Sequence, residues 1–282
     1  MPPTRPRVLF VTDLTYQARG RRYCDEDIAL SSALREEFDL ALCHPLDARA
    51  LMDSFDAVLI RNSGPVLNHQ SSFDAFRTQA LACGTRVHNQ LTGRADMAGK
   101  QYLVDLTAEG HPVIPTVDRL ADVERLPDTT EYVIKPKKGA DSIGLKFLTR
   151  PELETHVPSG DTPPEDEFLI QPRIDFTYEV SFYFIDDTFQ YALHAPHPDR
   201  RWVLEPYTPT PTDLAFARRF IAWNTIDHGI QRVDACRTRS GGLLLVELED
   251  LNPYLSLDLI PQKHRDAFIT NLKTSLHKLL AG

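Results

Sequence analysis

Long apolar runs are absent from this sequence. No stretch of its 282 residues approaches the roughly 18 consecutive apolar positions of a membrane span, so no membrane partner is expected. Cysteine is scarce: Cys24, Cys43, Cys83 and Cys236 are scattered with no Cys-x-x-Cys pair. They read as small apolar fillers in a reducing cytoplasm rather than as a disulfide framework. Positive charge is in the minority, with 31 Lys and Arg against 40 Asp and Glu and a formal net charge of −9. That balance argues against a nucleic-acid surface, although a local cationic site can exist inside an acidic protein. The ten histidines include no His-Glu-x-x-His, and "HAPHP" (His194 to Pro198) reads as a Pro-rich loop before it reads as a metal site. What is present is ordinary for a soluble globular chain: 42% apolar and 25% charged residues, in a length that allows one large domain or two to three small ones. The opening "MPPTRPRVLFV" runs straight into a first strand, so a signal peptide is not expected.

Strand and helix patterns alternate through residue 90. "RVLFVTD", "DLALCH", "FDAVLIRN" and "TRVHN" have strand composition, while "DEDIALSSALREEF" and "SFDAFRTQALACG" have helical spacing, the second closed by Gly84. This is the pattern of an open parallel α/β sheet, whose ligands bind outside the carboxyl ends of its strands, near Asp13, Arg61 and Asn62. A helix is expected over Asp96 to Gly110, then two strands in "YVIKPKKGADSIGLKFL" around a Gly-containing loop. "FLIQPRI", "YEVSFYFIDD" and "TFQYALHA" read as a β-meander, "PTDLAFARRFIAWN" as an amphipathic helix, and "QKHRDAFITNLKTSLHKLLAG" as a closing helix.

Between those last helices lies an unusual hairpin. "QRVDACR" and "LLLVELED" are separated by a tight Gly-containing turn, and Glu247 and Glu249 lie two residues apart, hence on one face of a continuing strand. If the register pairs even residues with odd ones, Arg232 and Asp234 share that face. Three carboxylates then face one guanidinium, a deficit that a hard divalent cation such as Mg²⁺ would balance. A solvated edge strand with incidental charge is the competing reading. Lys135, inside an apolar strand before a loop with Gly139, Ser142 and Gly144, is a candidate phosphate contact, although neither a Walker A motif nor Gly-x-Gly-x-x-Gly is present.

The order and type of these pieces resemble the ATP-grasp ligases. "VELEDLNPYLSL" and the early "DED" segment are most similar to the small stand-alone members allied to glutathione synthetases, peptide ligases and the D-cycloserine cyclo-ligase. The resemblance implies an α/β chain with a Rossmann-like pre-ATP-grasp domain over residues 1–95. A small ATP-grasp subdomain over 96–167 and a large C-terminal subdomain over 168–282 would follow. It implies ATP and Mg²⁺ as cofactors. Lys100 and Lys135 would grip the phosphates under the loop of Gly139, Ser142 and Gly144. Gln171 and Ile174 would stand at the adenine linker and Glu179 on the ribose. Asp234, Glu247 and Glu249 would be metal ligands, with Glu249 where Asn is usual and Asn252 as a further candidate. Arg232 would steady the transferred phosphate, and Arg200 and Arg201, beside Trp202, would face substrate. Arg19, Arg21 and Arg22 form a basic loop, either a substrate contact or a solvated turn.

The implied chemistry is carboxylate–amine ligation: phosphorylation of a carboxylate by ATP, then attack of an amine, with release of ADP and phosphate. The partners would be a small-molecule carboxylate and an amine, in a cytoplasmic protein for which a homodimer is compatible. Intramolecular cyclisation, phosphorylation without ligation and non-catalytic ATP binding stand as alternatives.

Overall fold

The run Arg7–Val11 is apolar on both faces, as a strand covered from both sides must be. In the computed structural model, which describes residues 5–18, 21–62, 66–139, 142–156 and 168–282, it forms β1 (Arg7–Val11). Around it lie β2 (Asp39–Cys43), β3 (Ala57–Ile60) and β4 (Val87–His88), in a four-stranded parallel sheet of order β2–β1–β3–β4. The connecting helices include α1 (Cys24–Leu34) and α2 (Gln70–Cys83). α2 stops at Gly84, which takes the left-handed conformation at φ 65° and returns its N–H to Ala80. Arg19 lies outside the described residues, as does the side chain of Arg21.

The helix expected over Asp96 to Gly110 is broken. Residues Asp96–Ala98 form one 3₁₀ turn, Gly99 reverses the chain at φ 92°, and α3 (Tyr102–Ala108) begins only afterwards. The cause is the buried carboxylate of Asp250, which accepts from the N–H of Met97 at 2.7 Å and of Ala95 at 3.3 Å. A carboxylate against those amides anchors a short turn at the position a longer helix would occupy.

Next come β5 (Tyr132–Pro136), β6 (Lys146–Leu148) and β7 (Phe168–Pro172), a three-stranded antiparallel sheet of order β6–β5–β7. The meander expectation is therefore corrected in part. Phe168–Pro172 pairs with Tyr132–Pro136, and the hairpin itself is β8 (Phe176–Ile185) with β9 (Thr188–Ala195). Propensity read all three runs as strands but could not say that Pro172 to Asp175 crosses between sheets. The small sheet has its own core, including Val117, Tyr132, Ile134, Leu153, Phe168 and Ile170.

The remaining strands are β10 (Glu205–Tyr207), β11 (Ile230–Thr238) and β12 (Leu243–Glu249), with α4 (Pro211–Asn224) between the first two. They complete a five-stranded antiparallel sheet, β10–β9–β8–β11–β12. Strand alternation divides its faces. Phe182 and Phe184 join Leu103, Phe220 and Leu245 in one core, while Tyr183 and Ile185 turn to the other. In that second core α5 (Gln262–Ala281) inserts Phe268, Leu272 and Leu276, each 0% exposed, together with Val8 and Phe10 of the parallel sheet. Each such side chain contributes about 1.5–3 kcal/mol by leaving water. Among the described residues no helix is long and apolar enough to cross a membrane, and all four cysteines are free, with only Cys83 exposed.

A polar tie crosses the same region. Arg61, 2% exposed, donates to Asp27 at 3.0 Å, Glu26 at 3.1 Å and the Pro253 carbonyl at 2.5 Å. Glu26 in turn accepts from the N–H groups of Leu255 and Leu257. Arg61→Met leaves two buried acids without their cation and is expected to cost roughly 3–5 kcal/mol. A urea midpoint within error of the parent would refute this. His88, 0% exposed and bonded through Nε2 to Ser275, is held near pKa 3 by burial first and by His228 second. Its folded value lies below the ordinary 6.5, so the unfolded chain binds the extra proton and stability falls as pH drops from 6.5 towards 3. The slope from this group is at most about 1.4 kcal/mol per pH unit. Denaturant titrations at pH 7 and 5 should show it, and His88→Gln should flatten it.

Candidate active site

Why the hairpin tolerates its acids is visible in its register. β11 pairs with β12 so that Arg232 lies opposite Glu249 and Asp234 opposite Glu247, and a bulge follows between Asp234 and Ala235. The expected even-to-odd pairing therefore holds, and four charged side chains emerge on one face. The carboxylates of Asp234, Glu247 and Glu249 each bring an oxygen within 4.8 Å of the others. Arg232 clamps Asp234 with Nε to Oδ1 and Nη2 to Oδ2, both at 2.8 Å, and Nη2 also reaches Glu249. Its Nη1 donates to the Tyr254 carbonyl at 3.0 Å, and Ser181 adds a hydrogen bond to Asp234 at 2.6 Å. Glu247 is met by Lys100, whose ammonium also lies 3.4 Å from Asp96.

These groups line a cavity of about 260 Å³ between the five-stranded sheet, the Asp96–Lys100 turn and the Asn252–Ser256 segment. Five carboxylates (Asp96, Glu179, Asp234, Glu247, Glu249) face three cations (Lys100, Arg201, Arg232) across it. Burial pushes the Glu249 carboxyl up to about 7, against the pull of Arg232 and with the push of Asp234. Glu179 is also raised by burial, although Arg201 lies 2.7 Å away. Burial opposes the charge on Arg232, but Asp234 and Glu249 hold it, and its pKa is raised on balance. Lys135 is pushed down to about 7, by burial first and by Lys100 second. The donor set is all hard oxygen and carries an excess of negative charge, which suits a divalent cation of the Mg²⁺ type.

Of the residues anticipated from the sequence, Lys100, Ser142, Glu179, Arg201, Arg232, Asp234, Glu247, Glu249 and Asn252 line this one cavity. Asn252 is turned so that Nδ2 donates to the Asn62 carbonyl. Lys135 stands just behind, its ammonium 3.4 Å from the Val246 carbonyl. Gly139 opens onto a neighbouring cavity, and Gly144, at φ 78°, packs so closely on Pro136 that a Cβ would sit 2.8 Å from its ring. Gln171 is buried and donates to Thr116 at 2.8 Å, while Ile174 lies in the crossing between sheets. Arg200 is exposed and outside the cavity, unlike its neighbour Arg201. His194 lies on β9 rather than in a loop and meets Tyr178 and Tyr207 ring to ring. Asp13 and Asn62 follow the ends of β1 and β3, but neither they nor Arg61 line this cavity, and Asp13 accepts from Thr15 and Tyr16.

Several lining residues were not anticipated: Asp96, Tyr23, Tyr254 and Ser256. Tyr23 and Tyr254 lie 4.8 Å apart, centroid to centroid, and form an aromatic wall. Ser142 and Ser256 both hold left-handed conformations, φ 60° and 52°, that side-chain-bearing residues adopt at a cost. Backbone strain of that kind leaves no mark on composition or spacing. Asp250 was legible in principle, because strand alternation after Glu249 turns it to the opposite, buried face.

No family model matches the chain. The cycloserine biosynthesis protein DcsG of Streptomyces lavendulae is 26% identical over 252 residues, covering 77% of this chain and 82% of its own length. Among solved structures, D-cycloserine synthetase DcsG superposes with TM-score 0.71 at 23% identity, over 94% of this chain and 99% of its own. D-alanine–D-alanine ligase from Bacillus anthracis in complex with ATP gives 0.64 at 14% identity, over 97% and 98%. The ATP-grasp ligase PsnB, with its minimal precursor, gives the same TM-score at 14% identity, over 95% and 98%.

Proposed function

We propose that this chain is an ATP-grasp ligase that joins a carboxylate and an amine of amino-acid-like substrates in an ATP-dependent reaction that releases ADP and phosphate. The observation that carries this is the convergence of Asp234, Glu247, Glu249, Arg232 and Lys100 in one cavity. In this reading the substrate carboxylate oxygen attacks the γ-phosphorus of ATP, and ADP leaves. The amine nitrogen then attacks the acyl carbon, gives up a proton, and phosphate departs.

Asp234, Glu247, Glu249 and Asn252 would hold Mg²⁺, which when bound neutralises charge on the phosphate oxygens. The chain's own residues do the rest. Lys100 and Lys135 supply point charges to the phosphates, and Arg232 provides a planar fork for charge developing at the transferred group. Glu179 is suited to the ribose hydroxyls, and Gln171 and Ile174, by the crossing between sheets, to the adenine. Gly139, Ser142 and Gly144 would form the covering loop. Arg201, already inside the cavity, fits a substrate-facing role better than Arg200.

The parallel sheet supports a Rossmann-like pre-ATP-grasp unit over residues 1–95, and the separate small core supports a second unit from 96. Because Phe168–Pro172 belongs to the small sheet, we draw the boundary to the large subdomain after Pro172 rather than after 167. Free cysteines fit a reducing cytoplasm. A second reading, cyclisation of a single substrate, is favoured by the likeness to D-cycloserine synthetase.

Turnover of ATP with Mg²⁺ against pooled amino acids and dipeptides, resolving ADP from AMP, tests the proposal. ADP with a product heavier by a condensation supports intermolecular ligation, ADP with loss of water from one substrate supports cyclisation, and AMP would sink both. Asp234→Asn or Glu247→Gln should lower turnover roughly 100-fold or more, the scale of losing a charge-stabilising group. Unchanged turnover would remove the metal assignment. Burial and Lys100 hold the Lys135 pKa down to about 7, so ATP should raise it and draw in part of a proton at pH 8. Affinity should then fall as pH rises from 7 to 9. Calorimetry in two buffers of different ionisation enthalpy measures the uptake, which Lys135→Met should abolish.

A further inference from the structure

One side of α2 is not accounted for by the first cavity. Gln70, Phe73, Asp74 and Arg77 recur at helical spacing and share a face, and that face closes a second cavity of about 210 Å³. The opposite wall is built by Lys137 and Lys138, and the floor by the apolar Phe73, Met97 and Leu251. The two cavities share Asp96, Lys100 and Asn252 as a common wall. That wall is fixed, because the Lys100 N–H donates to the Lys137 carbonyl at 3.0 Å where Gly99 turns the chain.

Its cations fall into two groups. Lys100 is engaged by Glu247 and Asp96, and Lys137 by Asp118 at 3.1 Å. Arg77 and Lys138 form no ion pair among the described residues. Arg77 lines the cavity and gives one hydrogen bond, from Nη2 to the Leu91 carbonyl at 3.2 Å; its Nε is sealed in the wall, while Nη1 is not sealed and has no hydrogen-bond partner among the described residues. Asp74, three residues away, accepts instead from Gln70 at 2.9 Å. A guanidinium whose outer Nη edge has no acid to pair with is a ready anion ligand. In a chain of net charge −9, two cations that form no ion pair among the described residues, over an apolar floor, run against the prevailing sign.

We propose that this second cavity binds the distal carboxylate of a ligase substrate, with Arg77 as its anchor and Lys138 at its mouth, while the reacting end lies across the shared wall in the first cavity. The planar fork of Arg77 matches a carboxylate, and Phe73, Met97 and Leu251 suit a short aliphatic stem behind it. That the occupant is a substrate rests on the ligase reading; that the cavity binds a carboxylate does not.

The test uses the whole protein and titrates glutarate against its neutral analogue glutaramide by calorimetry, with Mg–ADP binding measured alongside. Glutarate should bind and glutaramide should not. Arg77→Ala should weaken glutarate roughly tenfold or more, with Arg77→Lys restoring only part, since an ammonium lacks the fork. Mg–ADP affinity should stay at the parent value in both. Lys138→Ala, on an exposed side chain whose loss does not threaten folding, should weaken glutarate about 2–5-fold, the scale of one exposed charge. Equal binding of glutarate and glutaramide, or glutarate affinity unchanged in Arg77→Ala, overturns the proposal. Inorganic phosphate that outcompetes glutarate and is lost with Arg77 would replace the carboxylate by phosphate. A parent protein that binds glutarate but no nucleotide would instead remove the ligase reading, and with it the substrate identity, while the anion site stood.

Discussion

Arg232 holds together a face that would otherwise repel itself. Three carboxylates crowd within 4.8 Å, and the single guanidinium opposite them satisfies Asp234 bidentately while touching Glu249. Lys100 takes up the remaining partner, Glu247, but only because Asp250 anchors the turn that delivers it and Gly99 lets the chain reverse there. The apolar half of the same strands is core, so the charged face cannot slide out of register without burying acids. Register, turn and cavity are thus one constraint seen from three sides.

That constraint extends to the parallel sheet. Glu26 receives two N–H groups from the Leu255–Leu257 segment, and Arg61 joins Glu26 and Asp27 to the Pro253 carbonyl. The early "DED" run and the late "NPYLSL" run, more than 220 residues apart, are therefore two halves of one polar joint. The cavity wall carrying Tyr254 and Ser256 is placed by residues of the first helix rather than by its own strand.

Much of this could be read from the chain, unevenly. Alternating strands and helices through residue 90, the Gly84 stop and the hairpin register followed from periodicity and turn chemistry, which act locally. The convergence of Lys100 with Glu247 rested on a resemblance of motif order, because no local rule joins residues so far apart. The broken helix at Gly99 escaped because a distant carboxylate, Asp250, outcompeted helix propensity over Asp96 to Gly110. Phe168–Pro172 was correct as a strand and wrong as a neighbour, since pairing partners depend on where a loop crosses. Of the two loop glycines, Gly139 lines the neighbouring cavity and Gly144 packs on Pro136, a placement that depends on contacts outside the loop.

Among the described residues, the three-stranded sheet is closed by a core of eight buried side chains, separate from the cores that unite the rest. A unit with its own small core is expected to open at a lower free energy than the whole chain, and its amides to exchange first. Under the proposed function, apparent nucleotide affinity would include the fraction of molecules in which this unit is closed. A substitution such as Ile134→Ala, which touches no ligand, would weaken binding by depopulating the competent form. Residues in that small core would thereby tune affinity as a reservoir of disorder rather than as contacts.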